Sequence, residues 1–192
     1  MKNNNSDYVK NMFNIPIAHF KVRNWEVKKS KLLETVDHSK VVYGCGSEIQ
    51  TDFHSLYDNY TPRETEGIEY KAKIQSIFSE ELEMFCNSFE FSRYSFLGAW
   101  FEKASQNDYH SVHNHGPYGY SSVCFVEYDE DEHEATKFIA PFNHFITGLP
   151  LMYSPKVQEG SIIFFPSCIL HFTTPNTSLK ERKILSFNIL VE

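Results

Sequence analysis

Two histidines separated by one residue, His113 and His115, are the sharpest chemical feature of the sequence. On a β-strand, residues two apart point to the same side, so both imidazoles can approach one ion while Asn114 faces away. His171 follows a glycine turn and a buried-strand pattern over residues 160–166, and it can supply a third ligand if its strand lies beside the first. Three ligands on one side of an ion leave the opposite positions open, as a catalytic metal centre requires.

The other histidines lack this arrangement. His110 stands an odd number of positions from His113, which would place it on the opposite face of a continuous strand. Asp108 has the same parity as His110, so either side chain could join the ligands only if the strand breaks between Tyr109 and Val112. The remaining histidines are isolated and are predicted to be surface or ordinary core residues.

Composition limits the classes of partner. The 192 residues carry 25 acidic and 18 basic side chains, a formal net charge of −7, which is the wrong sign for binding a phosphate backbone. The four cysteines form no CxxC pair, and we expect free thiols. The polar N-terminus has no apolar stretch typical of a signal peptide, and no run reaches the roughly twenty apolar residues of a membrane span. We therefore expect a cytoplasmic protein with no nucleic-acid or membrane partner; the sequence does not indicate an oligomeric state.

Helical signals are confined to the first half of the chain. Asn24 can cap a first helix, whose buried face would comprise Trp25, Leu32, Leu33 and Val36. A second helix is predicted from Glu66 to about Asn87, preceded by Pro62 and Thr65 as start signals. Its apolar stripe comprises Tyr70, Ile74, Ile77, Phe78, Leu82 and Phe85. We interpret this stripe as packing surface.

Short strands dominate after Ser88, and no helices separate them. This pattern predicts a mainly β (α+β) protein, an antiparallel jelly roll with N-terminal helices packed on one sheet. We expect one domain over residues 1–192, with residues 1–12 flexible, an edge strand (Phe13–Val22) and helical layer within 13–88, and a jelly-roll core over 89–192. The core strands are predicted at Tyr94–Lys103, Ser121–Tyr128, Thr136–Ile139, Ser161–Phe165 and Lys183–Val191.

The last strand alternates between two kinds of side chain. One face carries Lys183, Leu185, Phe187 and Ile189, which are mostly apolar and suited to packing under the helices. The other face carries Arg182, Ile184, Ser186 and Asn188. A buried polar row costs stability unless a ligand or partner satisfies it, so we interpret this second face as a ligand-facing wall.

Taken in order, these motifs resemble those of the small bacterial and phage iron(II)/2-oxoglutarate oxygenases. The family pattern is an H-x-H, a serine-rich strand, a G…FPS…H segment and a terminal R…SFN strand. In this sequence the pattern is carried by His113-Asn-His115, Tyr120-Ser121-Ser122-Val123, Gly160…Phe165-Pro166-Ser167…His171 and Arg182…Ser186-Phe187-Asn188. Trp100 and the stretch Thr51-Asp52-Phe53-His54 also look like family positions, and the resemblance extends from about Phe13 to the end.

The resemblance implies a double-stranded β-helix that binds Fe(II) and uses 2-oxoglutarate as co-substrate. The implied metal ligands are His113, His115 and His171. Arg182 would pair with the far carboxylate of 2-oxoglutarate, since a guanidinium fork suits a carboxylate in a dry pocket. Ser186 and, more weakly, Tyr109 are the other candidates for binding the co-substrate.

The activity implied by the resemblance is that of a dioxygenase. It would use O2 to hydroxylate an unactivated C–H bond of a small molecule or a peptide side chain, with release of succinate and CO2. Tyr118 and Tyr120 flank the metal strand and are candidates for substrate contact, with aromatic packing as the alternative.

Two departures from the family pattern keep other interpretations open. The common facial triad is two histidines and a carboxylate, yet this chain has His115 at the carboxylate position, and it has Ser121-Ser122 where a glycine is usual. A three-histidine cupin-type oxygenase that needs no 2-oxoglutarate is one alternative, although it would have no use for Arg182. A non-catalytic jelly-roll binding module is the other.

Overall fold

The computed structural model describes residues 14–44, 48–58 and 61–192. The N-terminal stretch predicted to be flexible, residues 1–12, and Cys45 lie outside the described residues. Thirteen strands and four α-helices occur in the described part of the chain.

The strands are β1 (Ala18–Lys21), β2 (Val42–Tyr43), β3 (Gln50–Thr51), β4 (Tyr57–Asp58), β5 (Thr61–Pro62), β6 (Tyr94–Ala104), β7 (His110–His113), β8 (Tyr120–Glu127), β9 (Lys137–Asn143), β10 (Pro150–Tyr153), β11 (Ser161–Pro166), β12 (His171–Thr173) and β13 (Arg182–Val191). The helices are α1 (Trp25–Thr35), α2 (Phe53–Leu56), α3 (Glu64–Ile77) and α4 (Ser79–Phe89). A single 3₁₀ turn spans His38–Lys40.

Two antiparallel sheets form the jelly roll. The larger sheet has the order β1-β11-β8-β13-β6-β3-β2, and the smaller has the order β10-β9-β12-β7. Their facing side chains form one apolar cluster, in which Phe138 of the smaller sheet packs with Phe125, Ile163 and Phe165 of the larger. The antiparallel β fold predicted from the short strands is therefore confirmed, and β1 lies at an edge of the larger sheet.

Strand β13 lies near the centre of the larger sheet, between β6 and β8. Its alternate side chains Leu185, Phe187 and Ile189 join the apolar cluster beneath the helices. Ile184 instead joins the cluster between the two sheets. The interior face of β13 is therefore the one that also carries Arg182, Ser186 and Asn188.

The predicted helix over residues 66–87 is two helices, because α3 ends at Ile77 and α4 begins at Ser79, with Phe78 between them. The backbone of Phe78 leaves helical geometry (φ −101°, ψ 16°), and its ring is buried against Phe187 with centroids 5.7 Å apart. The break therefore coincides with the packing of Phe78 on the larger sheet. Among the described residues, no helix has the length and apolar character needed to cross a membrane.

Helix α1 begins directly after Asn24, the residue predicted to precede it, but the Asn24 side chain makes no capping hydrogen bond. Trp25 lies against Gly160 at the start of β11. A Cβ atom at position 160 would stand 2.8 Å from Cγ of Trp25, and Gly160 has a φ of +76°. Glycine is therefore needed at 160 both for the turn and for the close approach of α1.

Candidate metal centre

Two neighbouring strands of the smaller sheet bring His113, His115 and His171 together. His171 opens β12 and is paired directly with His113 of β7, while His115 follows β7 by two residues. One ligand nitrogen from each histidine lies within 4.8 Å of the others. Ligands bound to one ion at about 2.1 Å can stand up to about 4.2 Å apart, so a small contraction of this cluster would bind a single ion.

Each of these three rings is oriented by a hydrogen bond that its Nδ1 donates. The Nδ1 of His113 donates to the carbonyl of Ser111 (2.7 Å), and that of His171 donates to the carbonyl of Ile169 (2.9 Å). With Nδ1 occupied in this way, Nε2 is the atom left with a lone pair for a cation.

His115 is held by side chains of the larger sheet. Its Nδ1 donates to Oδ1 of Asn188 (3.0 Å) and lies 2.9 Å from Oγ of Ser121, which itself bonds Asn188 and Ser167. Ser121, one of the two serines found where the family pattern has a glycine, therefore contributes to the support of a candidate ligand. Asn188 on the interior face of β13 does the same.

The three imidazoles are held in the neutral form that binds metal ions. Burial, followed by the nearby charge of His113, lowers the pKa of His115 to about 4. Burial and the neighbouring histidines lower the pKa of His171 to about 3, and burial with His110 lowers the pKa of His113. Three nitrogen donors that remain deprotonated at neutral pH, two on half-buried rings and one on the buried His171, suit a divalent transition metal such as Fe(II).

A β-bulge adds a fourth histidine beside this group. His171 pairs with His113 and Thr173 pairs with His110, so three steps along β7 match two steps along β12. The extra residue reverses the alternation, and the rings of His110 and His113 stack with centroids 3.9 Å apart. The strand is therefore not continuous in its alternation, and His110 lies beside the site instead of on the opposite face.

The same bulge changes the placement of Tyr109, which was predicted to share the face of His113. Tyr109 lies outside β7, its backbone N–H bonds the carbonyl of Glu48, and its side chain is exposed. It is not among the residues that line the cleft beside the histidines. The prediction that Tyr109 binds the co-substrate is therefore not supported by its position, since parity reverses at the bulge.

Glu102 of β6 is the residue at this site that the sequence analysis missed. Its carboxylate is 4% exposed, accepts a hydrogen bond from Nε1 of Trp100 (2.8 Å), and lies 3.4 Å from Nδ1 of His110. Burial alone would raise the pKa of Glu102, but the His110 charge and the hydrogen bonds from His110 and Trp100 lower it to about 2. The sequence did contain a signal for Glu102, because it is the single carboxylate in the apolar run that forms β6. It also stands two residues after Trp100, so the two side chains lie on the same face of the strand.

Arg182 is buried at the start of β13, and its guanidinium is only partly satisfied. Nη1 donates to the carbonyl of Glu134 (2.9 Å), whereas the buried Nη2 has no hydrogen-bond partner among the described residues. Burial lowers the pKa of Arg182, and the negative charge of Glu102 opposes that shift. Ser186 is buried on the same face of β13 as Arg182, four residues later in the strand. Its Cα pairs with that of Trp100 on β6.

A cleft of about 180 Å³ opens beside the histidines. The cleft is lined by Ile49, Thr51, Phe53, His54, Trp100, His110, His113, Asn114 and His115. Phe53 packs edge-on against Trp100 with centroids 5.3 Å apart, so α2 and the preceding strand form one wall of the cleft. The N-terminal layer therefore lines the cleft together with the jelly roll.

The two tyrosines predicted to contact substrate lie elsewhere. Tyr120 packs against Phe85, Phe89 and Phe91 on the helix side of the sheet, with the ring of Phe85 5.0 Å away. Because Ser121 faces His115, its strand neighbour Tyr120 must face the other way. The prediction of substrate contact by Tyr120 was wrong, and its alternative, aromatic packing, describes the structure. Tyr118 is 71% exposed and does not line the cleft.

Comparison with protein families supports the interpretation of the motifs. Residues 98–188 match the family described as "Putative 2OG-Fe(II) oxygenase". This segment contains the three clustered histidines, Glu102 and Arg182. A search of curated proteins finds no match.

Comparison with solved structures gives the fold. The viral collagen prolyl hydroxylase of Paramecium bursaria Chlorella virus-1, in its 2OG complex, aligns with 92% of this chain and 96% of its own, at 16% identity and a TM-score of 0.59. HygX from Streptomyces hygroscopicus, with nickel, 2-oxoglutarate and hygromycin B bound, aligns with 91% of this chain and 82% of its own, at 11% identity and a TM-score of 0.59. A 2OG-Fe(II) oxygenase-family oxidoreductase from Burkholderia pseudomallei aligns with 63% of this chain at 14% identity and a TM-score of 0.49, and this chain covers 55% of that protein.

The first two likenesses correspond to a double-stranded β-helix, as the ordered motifs predicted. Together with the match over residues 98–188, they show that this chain is similar in its motifs and fold to the 2OG-Fe(II) oxygenases, oxidoreductases that use iron(II) and 2-oxoglutarate.

Proposed function

We propose that this protein is an Fe(II)/2-oxoglutarate-dependent dioxygenase that hydroxylates an unactivated C–H bond and releases succinate and CO2. The observation that carries the proposal is the pairing of two features inside one barrel. Three neutral imidazoles each place a ligand nitrogen within 4.8 Å of the other two, and a buried arginine keeps one guanidinium nitrogen without a partner in the described residues.

In this proposal His113, His115 and His171 hold the metal ion. Their Nδ1 atoms are already engaged by Ser111, Asn188 and Ile169, so metal binding through Nε2 requires neither a change of tautomer nor a loss of hydrogen bonds. Iron(II) with 2-oxoglutarate supplies the oxidative decarboxylation by which O2 is activated for attack on a C–H bond. The protein's task is to keep the ligands neutral and fixed and to limit the access of water.

Arg182 is the proposed partner of the distal carboxylate of 2-oxoglutarate. A buried cation with an unsatisfied N–H donor is costly, and an anionic acceptor at Nη2 would remove that cost. Arg182 also shares the interior face of β13 with Asn188, which holds His115. In this proposal one strand therefore binds the distal carboxylate through Arg182 and supports, through Asn188 and His115, the metal that binds the other end. Ser186 lies between them on the same face and can add a hydrogen bond. A three-histidine oxygenase without 2-oxoglutarate leaves this arginine unexplained.

The substrate is proposed to enter through the cleft walled by Phe53, Trp100 and Asn114. A cleft of about 180 Å³ is small for a whole drug-sized ligand and suits an amino-acid side chain or one end of a small metabolite. We therefore propose a small molecule or a peptide side chain as the substrate class.

The proposal is tested by binding and turnover with protein purified without a histidine tag. Anaerobic protein with Fe(II) is expected to develop a weak charge-transfer absorption band when 2-oxoglutarate is added, and air is expected to produce succinate. Arg182→Ala should retain metal binding but lose the band at the same 2-oxoglutarate concentration. Arg63→Ala, which removes an exposed arginine outside the barrel, is the matched control.

Each result has a distinct consequence. Unchanged 2-oxoglutarate affinity in Arg182→Ala would show that the arginine has another role. Oxygen uptake that needs metal but not 2-oxoglutarate would favour the cupin-type alternative. Failure of the protein to bind Fe(II), Mn(II), Co(II) or Zn(II) would favour the binding module.

A further inference from the structure

A buried carboxylate lies directly outside the proposed ligand set. Glu102 is 4% exposed and belongs to the interior face of β6, where its Cα pairs with that of Ile184 on β13. It is not one of the three residues whose ligand atoms cluster within 4.8 Å. A buried carboxylate is expensive unless charged or polar partners satisfy it, so its contacts indicate why it is tolerated.

Both partners of Glu102 are rings that pack on metal-ligand candidates. Oε1 accepts the indole N–H of Trp100 at 2.8 Å, and Trp100 packs edge-on against His115 with centroids 5.2 Å apart. Oε2 lies 3.4 Å from Nδ1 of His110, and His110 stacks on His113 with centroids 3.9 Å apart. One carboxylate therefore fixes the orientation of two rings, and each ring forms a wall against a different candidate ligand.

We propose that Glu102 is a positioning residue of the metal centre, which holds Trp100 against His115 and His110 against His113. The inference rests on the proposed function, because it assigns a role relative to the same three histidines. Glu102 acts through the two rings and touches neither metal nor substrate.

The charge of Glu102 adds to this geometric role. Three neutral imidazoles contribute no negative charge, unlike a set of two histidines and a carboxylate. A carboxylate behind two of the rings favours a cation at their centre, in an interior where charges interact more strongly than in water. Two properties can therefore be separated by substitution, namely the hydrogen-bond acceptor for Trp100 and the negative charge.

The experiment uses Co(II) as the probe, because its d–d absorption reports the arrangement of the ligands. Glu102→Ala removes both properties and is expected to weaken Co(II) binding by roughly ten- to a hundred-fold and to alter the d–d band. Glu102→Gln keeps an acceptor for Trp100 but not the charge, so an intermediate affinity and a band closer to that of the unsubstituted protein are expected. Glu81→Gln is the matched control, since Glu81 is a fully buried carboxylate that pairs with Lys28 on the helix side.

A second measurement follows the contact itself. The chain contains two tryptophans, Trp25 and Trp100, so the indole N–H region of a ¹⁵N-correlated NMR spectrum should hold two signals. The signal of Trp100, identified by its loss in Trp100→Phe, should shift strongly in Glu102→Ala and less in Glu102→Gln. It should stay in place in Glu81→Gln.

The outcomes separate this inference from the proposed function. If the unsubstituted protein does not bind Co(II), or binds it equally well after His171→Ala, the metal centre itself is wrong. If the centre is intact but folded Glu102→Ala binds Co(II) with unchanged affinity and band, the role of Glu102 is overturned. If Glu102→Ala does not fold, Glu102→Gln decides, since an unchanged affinity and d–d band in that variant overturn the role. Equal losses in Glu102→Gln and Glu81→Gln would also overturn it, because they would reflect general destabilisation.

Discussion

At the scale of single residues, the candidate ligands owe their orientation to groups that do not themselves face the metal position. Two of the three Nδ1 atoms donate to backbone carbonyls, of Ser111 and Ile169, and these acceptors cannot be removed by substitution. His115 differs because its acceptor is the Asn188 side chain. The support of His115 is therefore the one that mutagenesis can test directly.

Asn188→Ala should weaken metal binding by roughly ten- to a hundred-fold, because the His115 ring would lose the acceptor that fixes its tautomer and angle. Isothermal titration with Mn(II) measures the effect. Asn143→Ala, at an exposed position of β9, serves as the control. An unchanged Mn(II) affinity in a folded Asn188→Ala variant would contradict this account of His115.

At the scale of elements, pairing between neighbouring strands and helices decides where buried polar groups point. The bulge between β7 and β12 directs His110 toward the site. At the start of α2, Asp52 connects this helix to the larger sheet, since its Oδ1 accepts the backbone N–H of Phe101 on β6 at 2.8 Å. Its buried Oδ2 has no hydrogen-bond partner among the described residues, and burial raises the pKa of Asp52 to about 7.

The Asp52 carboxyl makes the stability of the fold depend on pH. Its pKa is about 7 in the folded state and about 3.9 in the unfolded chain, so between these values the folded state holds the proton more tightly. The stabilising contribution of Asp52 to the free energy of unfolding is therefore greatest below about pH 4. It is lost as the pH rises through 7, a change on the order of a few kcal/mol.

Asp52→Asn should remove this slope, and urea unfolding from pH 5 to pH 8 provides the measurement. Relative to the unsubstituted protein, the variant should gain free energy of unfolding as the pH rises. Asp131→Asn, at an exposed acidic position, should leave the pH profile parallel to that of the unsubstituted protein. The same parallel profile in Asp52→Asn would show that Asp52 is not protonated in the folded protein.

At the scale of the whole molecule, the larger sheet separates the packing of the helical layer from the candidate metal centre. Its helix side carries the apolar cluster that contains Phe85, Phe164 and Phe187, whereas its interior side carries Arg182 and Asn188 beside the histidines. Packing of the helical layer can therefore be weakened without changing a residue of the site.

Gly160→Ala tests the packing of α1. The new Cβ would clash with Trp25 and would also force alanine into a positive φ, so we expect a loss of about 2 to 4 kcal/mol in the free energy of unfolding. Gly148→Ala is the matched control, because Gly148 also has a positive φ (+68°) but has nothing within 4 Å of its Cβ position. Chemical unfolding measures both variants. Equal losses would mean that the Trp25 contact contributes nothing.

Metal binding should stabilise the whole fold, since the ligands come from strands that unfolding would separate. A metal ion present at a hundred times its Kd is expected to add about 2.7 kcal/mol to the free energy of unfolding. Thermal unfolding with Mn(II), and again after addition of a chelator, checks this. His171→Ala should abolish the increase in Tm, and an increase that persists in that variant would place the ion elsewhere.

The sequence by itself determined the features that depend on local alternation. The spacing of His113 and His115, the two faces of β13 and the succession of short strands predicted the β fold and the polar wall, since side-chain direction along a regular strand follows from position alone. The ordered motifs predicted a resemblance to the 2OG-Fe(II) oxygenases, and the match over residues 98–188 confirmed that resemblance.

Only the tertiary structure decided the features that depend on a partner strand or helix. The bulge that turns His110 inward and Tyr109 outward exists because β7 pairs with β12, and the aromatic cluster around Tyr120 exists because α4 lies on β8. The break at Phe78 likewise coincides with the packing of its ring on Phe187 of β13. Glu102 became part of the site only when β6 and the bulged β7 brought Trp100 and His110 to the same carboxylate. Such contacts join residues on different elements, and their energies depend on distances that local periodicity does not encode.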